Sequence, residues 1–485
     1  MFRPKVILPF ITALFYVQNL HAIEQKTNLQ TTLDSVMHTA NKNSPTNVHI
    51  VCAKTHKTLY SKNMHHCCTP ASTLKLFTVA AALDILGPDY RFETNLSIDG
   101  TIKHGTLKGN VYLKGSGDPS LYNQDLAALV DALKKAGIKK IVGDFVVDVS
   151  EFDEVLFGPG WSWDDPPALW NSALTALNIN HNCIEVIVDP QADTFVSLNP
   201  ATSFVVIENK AIVVPTKTRA DKPISVTRLW RDKKNIAKVT GTIAAHSAPK
   251  SYFIALKNPI AYVAALCHEL LMQEDIQLKG SFKKGMVPTT AKLLASHASE
   301  PLAELIQPVF KNSDNLYADA LFKKMGAQLF GAPGSWEKGS KAIIQFLETH
   351  ALFDTNNITI ADGSGKSRYS LVSPAQLTKL LAWIQAQPYY DLFFDALPHA
   401  GVDGFLQKRM TKPATKNRVH AKTGTLRKVS SLAGYVSHKE QPVIFAMNSS
   451  NFAGPAKVYR TLEDNLCTVL ATHQAPQKAP QRKRP

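Results

Sequence analysis

The sequence predicts a mixed α/β (α+β) architecture in which one domain is discontinuous, interrupted by a long, mainly β insertion. Three observations predict it. Apolar helical texture surrounds two polar clusters, Ser72-Thr73-Leu74-Lys75 and Ser313-Asp314-Asn315, whereas short β-rich runs fill most of the chain between them. A third cluster, Lys422-Thr423-Gly424-Thr425, lies on an alternating strand near the end. Ser72 is more than twice as far along the chain from Ser313 as Ser313 is from Lys422, so an insertion is expected between the first cluster and the second.

With 485 residues, the chain is too long for one compact core, and two to three domains are expected. A composition of 45% hydrophobic and 19% charged residues is that of a folded, soluble protein. Arg3 and Lys5 precede an apolar run from Val6 to Val17, too short to span a bilayer. Residues 1–22 therefore read as a secretory signal peptide, with an uncleaved anchor as the alternative. No cysteine follows that region, which argues against a lipid anchor.

Six cysteines in an exported chain leave both disulfides and buried free thiols open. His65-His66-Cys67-Cys68 is a consecutive run and lacks the spacing of a ligand set, so neither a metal nor any other cofactor is expected. The formal charge of +15 is spread along the chain except in the basic, Pro-rich tail 473–485. That tail reads as a disordered, solvated end with a weak contact to an anionic envelope surface as the alternative. Export and the absence of a recognition motif exclude nucleic acid as a partner.

Taken in order, Asn47 to Cys52 and Thr58 to Ser61 read as a hairpin leading into a buried helix from Ser72 to Leu86, which Gly87-Pro88 stops. Strands follow at Phe92 to Ile98, Thr106 to Tyr112 and Ile141 to Val149, with a helix at Tyr122 to Ala136 whose Leu126, Leu129, Val130 and Leu133 share one side. Further strands are expected at Val186 to Val188, Ser203 to Glu208, Val226 to Trp230, Ala237 to Ile243 and Ser251 to Leu256. Helical texture returns at Ala261 to Glu274 and from Pro301 to Phe330, broken by the Ser313-Asp314-Asn315 connection. Asp362 to Arg368 is a polar glycine-rich loop, considered for phosphate and set aside because it lacks the nucleotide-loop spacing. Ser373-Pro374 starts a helix, Val419 to Leu426, Val429 to Val436 and Val443 to Met447 read as antiparallel strands, and Lys457 to Thr472 as a covering helix.

Spacing gives the first cluster its chemistry. Three residues apart on one helical face, the Lys75 amine reaches the Ser72 hydroxyl, and in an apolar setting it is neutral enough to accept the hydroxyl proton. Ser-x-x-Lys alone proves little, since it recurs at Ser247-Lys250, Ser281-Lys284 and Ser335-Lys338. Ser-x-Asn has decoys too, at Ser61-Asn63, Ser197-Asn199 and Ser449-Asn451, whereas Lys-Thr-Gly occurs once. The ordered trio resembles that of class A β-lactamases and penicillin-binding proteins.

Gly143-Asp144, Gly160-Trp161-Ser162-Trp163-Asp164-Asp165, Asp362-Gly363-Ser364-Gly365, Gly401-Val402-Asp403-Gly404 and Ala421-Lys422-Thr423-Gly424-Thr425-Leu426 narrow the resemblance. Together they resemble the class C low-molecular-mass penicillin-binding proteins, serine D-alanyl-D-alanine carboxypeptidases and endopeptidases of the periplasm or cell-wall space. The resemblance implies a serine β-lactamase/transpeptidase-like domain (23–90 and 285–472), an inserted domain (91–184 and 257–284) and a nested β domain (185–256). It implies a Ser72 acyl-enzyme on peptidoglycan stem peptides, with β-lactam antibiotics as inhibitors. Lys75 would take the proton, Ser313 and Lys422 relay it, and Asn315 position the peptide. Backbone N–H groups of Ser72 and Thr425 would form the oxyanion hole, Thr423 and Thr425 would bind the terminal carboxylate, and Gly424 between them would let backbone approach closely. Asp148 and Arg368 match the family's contacts to the stem peptide's diamino acid; for Asp148 a turn-capping role is the alternative. The rival readings are a β-lactamase, and a non-catalytic wall-binding or antibiotic-sensing protein on the same scaffold.

Overall fold

The computed structural model describes residues 29–39, 44–216, 218, 222–231, 234–438 and 441–473. The signal-peptide reading of 1–22 and nearly all of the basic tail lie outside the described residues.

A five-stranded antiparallel sheet joins the two ends of the chain. Its order is Val419–Leu426, Val429–Val436, Val443–Ser450, Thr46–Cys52 and Thr58–Lys62. The expected hairpin is thus the far edge of the sheet that carries Lys422, with Val48 paired to Met447 and Ile50 to Phe445. Thr46–Cys52, Val429–Val436 and Val443–Ser450 are buried throughout, because helices cover both faces. On one face Tyr459, Leu462, Leu466 and Leu470 of helix Ala456–Thr472 share a core with Leu29, Leu33 and Met37 of the unanticipated helix 29–38. Helices Lys75–Ile85 and Pro374–Ile384 belong to the larger core on the other face.

The helix from Lys75 to Ile85 is apolar nearly all round, which places it in the molecule's interior. Expected to start at Ser72, it is instead preceded by a tight 3-10 turn, Ala71–Leu74, because Ala71 is left-handed (φ 51°). Helices Leu302–Lys311 and Asn315–Phe330 flank the second cluster, and the Asp314 carboxylate caps the latter by accepting from Tyr317 N at 3.2 Å.

Between these helices the chain builds four more sheets. One runs Phe282–Lys284, Phe145–Asp148, Val111–Gly115, Glu93–Ile98, Lys292–Ala298. Its outer strand Lys292–Ala298 was not expected, and it pairs antiparallel with Glu93–Ile98, so the inserted sheet reaches beyond the boundary at 285 that the resemblance implied. Two three-stranded sheets within 183–255 form the nested β region. Ion pairs tie the insertion to helix Asn315–Phe330: the fully buried Lys323 has its Nζ 2.6 Å from Oδ1 of the partly exposed Asp153, and Lys324 Nζ is 2.5 Å from Glu151 Oε1, both of these half-buried.

All six cysteines are free thiols. Cys68 instead braces the segment before Ser72 through its backbone, which exchanges hydrogen bonds with Val372 at 3.1 and 3.0 Å. No helix among the described residues is long and apolar enough to cross a membrane.

Candidate active site

Ser72, half-buried in its 3-10 turn, faces Lys75, which is fully buried at the start of the following helix. Lys75 Nζ lies 3.1 Å from Ser72 Oγ, 2.7 Å from Asn315 Oδ1 and 2.7 Å from the Ser364 carbonyl oxygen. A neutral amine has two N–H bonds, and two carbonyl acceptors are present to take them. Its lone pair is then left for the Ser72 hydroxyl. Burial drives the Lys75 pKa below the ordinary lysine value, while the carboxylates of Asp319, Asp362 and Asp314 act in the opposite sense.

Lys422 comes from the edge strand. Its Nζ donates to Ser313 Oγ at 2.8 Å and to the Thr423 carbonyl at 2.9 Å. Burial pushes its pKa well below the usual lysine range, and the neighbouring Lys75 adds to the effect. Ser313 is held at φ 54°, a left-handed conformation costly for serine. It is clamped from the insertion, where His181 Nε2 lies 3.1 Å from Asp314 Oδ2. The three polar clusters therefore converge on one cleft, linked to each other through Lys75 to Asn315 and Lys422 to Ser313.

Two glycines let the backbones close. A Cβ on Gly424 would press on Ser431 Oγ and the Pro70 carbonyl, so only glycine lets the strand lie against the Ser72 turn. Gly365 has φ 76° and a Cβ there would overlap the Ala71 carbonyl. The glycine-rich loop thus buttresses the serine turn, and its amides are already used. Gly363 N and Ser364 N donate to Asp319 Oδ1 at 2.8 and 2.9 Å, and Gly365 N and Ser367 N donate to Asp362 at 3.0 and 2.6 Å. Burial raises the pKa of both carboxyl groups.

A cleft of about 740 Å³ opens over Ser72 and is lined also by Ser313, Asn315, Thr423, Thr425 and Arg368. Arg368 is exposed there, its Nη2 donating to the Arg427 carbonyl at 2.9 Å. Asp148 corrects the sequence reading. Its side chain is buried and accepts from Ser150 N at 2.9 Å and Val287 N at 2.8 Å, so it locks a turn to a neighbouring segment and does not line the cleft. Two carboxylates do, Asp164 and Asp165, and Asp165 lies 3.1 Å from Lys366 Nζ, which also meets Asn171 Oδ1 and lies 3.9 Å above the Trp161 ring. Sequence reasoning missed Asp165 although it closes the Gly160 to Asp165 motif. It also missed Asp319, which sits one helical turn after Asn315 and on the same face.

Residues 29–473 match the family described as D-Ala-D-Ala carboxypeptidase 3 (S13). The chain belongs to this family. It is 34% identical over 373 residues to the D-alanyl-D-alanine carboxypeptidase DacB of Haemophilus influenzae, a match covering 76% of this chain and 77% of the relative. It is 30% identical over 478 residues to the D-alanyl-D-alanine carboxypeptidase of Actinomadura sp. (strain R39), covering 93% and 87%. The crystal structure of penicillin binding protein 4 (dacB) from Haemophilus influenzae superposes with a TM-score of 0.79 at 30% identity, covering 90% of this chain and 99% of that one. The same relative complexed with a β-lactam gives 0.74 at 29% identity. The S13 fold is thus a β-lactamase/transpeptidase-like one, and members of this family are serine D-Ala-D-Ala carboxypeptidases.

Proposed function

We propose that Ser72 is the nucleophile of a serine peptidase that cleaves the D-Ala-D-Ala or interpeptide D-amide bond of peptidoglycan stem peptides, and that β-lactams inhibit it by acylating the same hydroxyl. One observation carries this reading: Lys75 is buried, with carbonyl acceptors for two N–H bonds and its third neighbour the Ser72 hydroxyl. The Ser72 oxygen attacks the carbonyl carbon, Lys75 takes its proton, and Ser313 with Lys422 returns a proton to the departing amine. Backbone N–H groups of Ser72 and Thr425 stabilise the oxyanion, worth about 3 kcal/mol per donor. Asn315 positions the peptide, Thr423 and Thr425 take the terminal carboxylate, and Gly424 lets the strand that carries them close on the Ser72 turn. Arg368, now with Asp165 in place of Asp148, faces the stem peptide's diamino acid.

The domain partition belongs to the same proposal, with the inserted domain extended through strand Lys292–Ala298. So does the setting, the periplasm or cell-wall space entered by way of the signal peptide. Fluorescent penicillin is expected to give a stable adduct that S72A lacks, and the wild-type enzyme is expected to release D-alanine from a pentapeptide. Rapid turnover of the penicillin would point to a β-lactamase. Binding of muropeptide without D-alanine release would point to a wall-binding protein.

A further inference from the structure

A second cavity, about 840 Å³, opens beside the cleft and shares Trp170, Asn312, Ser313, Asn315 and Phe405 with it. Ser72 lines the cleft but not this cavity, so the two spaces meet at Ser313 and diverge from there. The walls of the second one come from the insertion: Gln124 near the start of helix Asn123–Lys135, Glu185 on strand Cys183–Val188 and Phe253 on strand Lys250–Ala255.

These walls are fixed. The Glu185 carboxylate accepts from Asn199 Nδ2 at 2.7 Å, and the Asn180 amide group accepts from Asn123 N at 3.0 Å and donates to Tyr262 Oη at 3.1 Å. Asn180, His181 and Asn182 form a consecutive left-handed run (φ 51°, 58° and 52°), a backbone that persists only where its surroundings over-determine it. Asn182 Nδ2 holds it from below by donating to the Ala173 carbonyl at 2.9 Å and to Asn178 Oδ1 at 2.8 Å. Through His181 and Asp314 the same run props the Ser313 bend. The cavity and the proton-donating serine are therefore parts of one rigid construction.

We infer that this cavity receives the leaving segment of a cross-linked substrate, the second stem peptide whose side-chain amine is acylated by the D-alanine of the first. The inference rests on the reading of Ser72 as nucleophile and deepens it, since it gives the departing strand a subsite of its own, walled by the insertion. Ser313 hands a proton to the leaving nitrogen, so that nitrogen lies against Ser313 whatever is attached to it. A terminal D-alanine ends there, with its carboxylate on Thr423 and Thr425. A cross-linked stem peptide continues, and the space adjoining Ser313 is larger than one alanine needs. The acyl-donor strand runs the other way, to Asp165, Lys366 and Arg368. The lining holds two carboxylates, Asp314 paired with His181 and Glu185 beside the amides of Asn180 and Asn199, which suits peptide N–H groups and a free ammonium.

The reaction balances as hydrolysis. Ser72 Oγ forms an ester with the D-alanyl carbonyl carbon, the C–N bond breaks, and the Oγ proton reaches the leaving nitrogen by way of Lys75 and the Ser313–Lys422 pair. Water then adds to the ester, releasing the D-alanyl carboxylate and restoring the hydroxyl.

The test compares kcat/KM for a purified cross-linked muropeptide dimer and for an uncross-linked pentapeptide, together with the penicillin acylation rate. Two variants at solvent-accessible positions are used: Q124W, which fills the cavity, and E185A, which removes the carboxylate on its insertion wall. Dimer cleavage is expected to fall about tenfold in each while pentapeptide cleavage and acylation stay within about twofold. Equal losses on both substrates, or an unchanged dimer rate in both variants, would overturn the subsite. So would a wild-type enzyme that releases D-alanine but leaves the dimer uncut. A wild-type enzyme that takes no penicillin and releases no D-alanine sinks the Ser72 reading itself, and the subsite with it.

Discussion

Lys75 has two jobs that pull its proton in opposite directions. As a base it must be neutral, and its complete burial favours that, whereas Asp319, Asp362 and Asp314 draw a proton onto it. Desolvation is the larger effect, so the amine titrates below the ordinary lysine value of 10.5. The sign of the pH dependence follows. Acid protonates Lys75, occupies its lone pair and stops it accepting from Ser72, so acylation slows as pH falls through the lowered pKa. Penicillin acylation measured across pH should therefore show an acid limb whose midpoint lies below 10.5. K75R, whose guanidinium keeps its proton, should lose the limb along with roughly a thousandfold in rate. A flat profile in the wild type would remove Lys75 from the role of base. The spacing of Ser72 and Lys75 made this pair legible in sequence. The partners that set its charge were not, because Asp319 and Asp362 reach it from other elements and carry no pattern with Ser72. Asp148 and Asp165 make the same point: both are aspartates in quoted or matched segments, and only the fold shows which one is buried against backbone amides and which faces the cleft.

At the scale of elements, the helices and strands with clean periodicity are where the sequence put them. Helix Asn123–Lys135 buries Leu126, Leu129, Val130 and Leu133, the four positions its spacing singled out. Strand Lys292–Ala298 escaped notice because it is an edge strand, half-exposed and without alternation. Helix Trp336–Thr349 was hidden by its polar opening: Ser335, dismissed as a decoy, is its N-cap and accepts from Lys338 N at 3.1 Å. Left-handed backbone at Ala71 and Ser313 has no signature in residue type, since neither is glycine or asparagine. The joint between insertion and helix Asn315–Phe330 was equally invisible. Lys323 is fully buried there, donating to Asp153 Oδ1 and to the Val155 carbonyl at 2.9 Å, with its ammonium 4.6 Å from the Trp336 ring. Asp153 is partly exposed and can be solvated, so K323A removes a buried charged donor from two acceptors and should lower stability by about 2 kcal/mol. The check is the shift of the thermal unfolding transition, with penicillin adduct formation followed alongside it. A shift equivalent to less than about 0.5 kcal/mol would mean that the pair offsets only its own desolvation.

Over the whole molecule, the site exists because distant parts of the chain share one sheet. Thr46–Cys52 has Val443–Ser450 on one side and the Thr58–Lys62 hairpin strand on the other, and Ser72 follows that hairpin directly. Ser72 thus takes its position from strands at both ends of the chain, and Lys422 lies on the strand three along from Thr46–Cys52 in the same ladder. The insertion is attached differently. It leaves and returns through the paired strands Glu93–Ile98 and Lys292–Ala298, and its nested sheet has a strand, Val205–Val214, that is largely exposed along its length. These two regions should open with unlike free energies, because a strand buried on both faces exchanges its amides only when the sheet around it comes apart. Hydrogen exchange read by mass spectrometry should give Thr46–Cys52 and Val443–Ser450 the same high protection, and Val205–Val214 markedly less. Acylation by penicillin should leave the exchange of Val205–Val214 unchanged, since no residue of that strand lines the cleft. If Thr46–Cys52 exchanged quickly while Val443–Ser450 stayed protected, the N-terminal strand would be an appendage to the sheet, and the placement of Ser72 would have to come from its own helix alone.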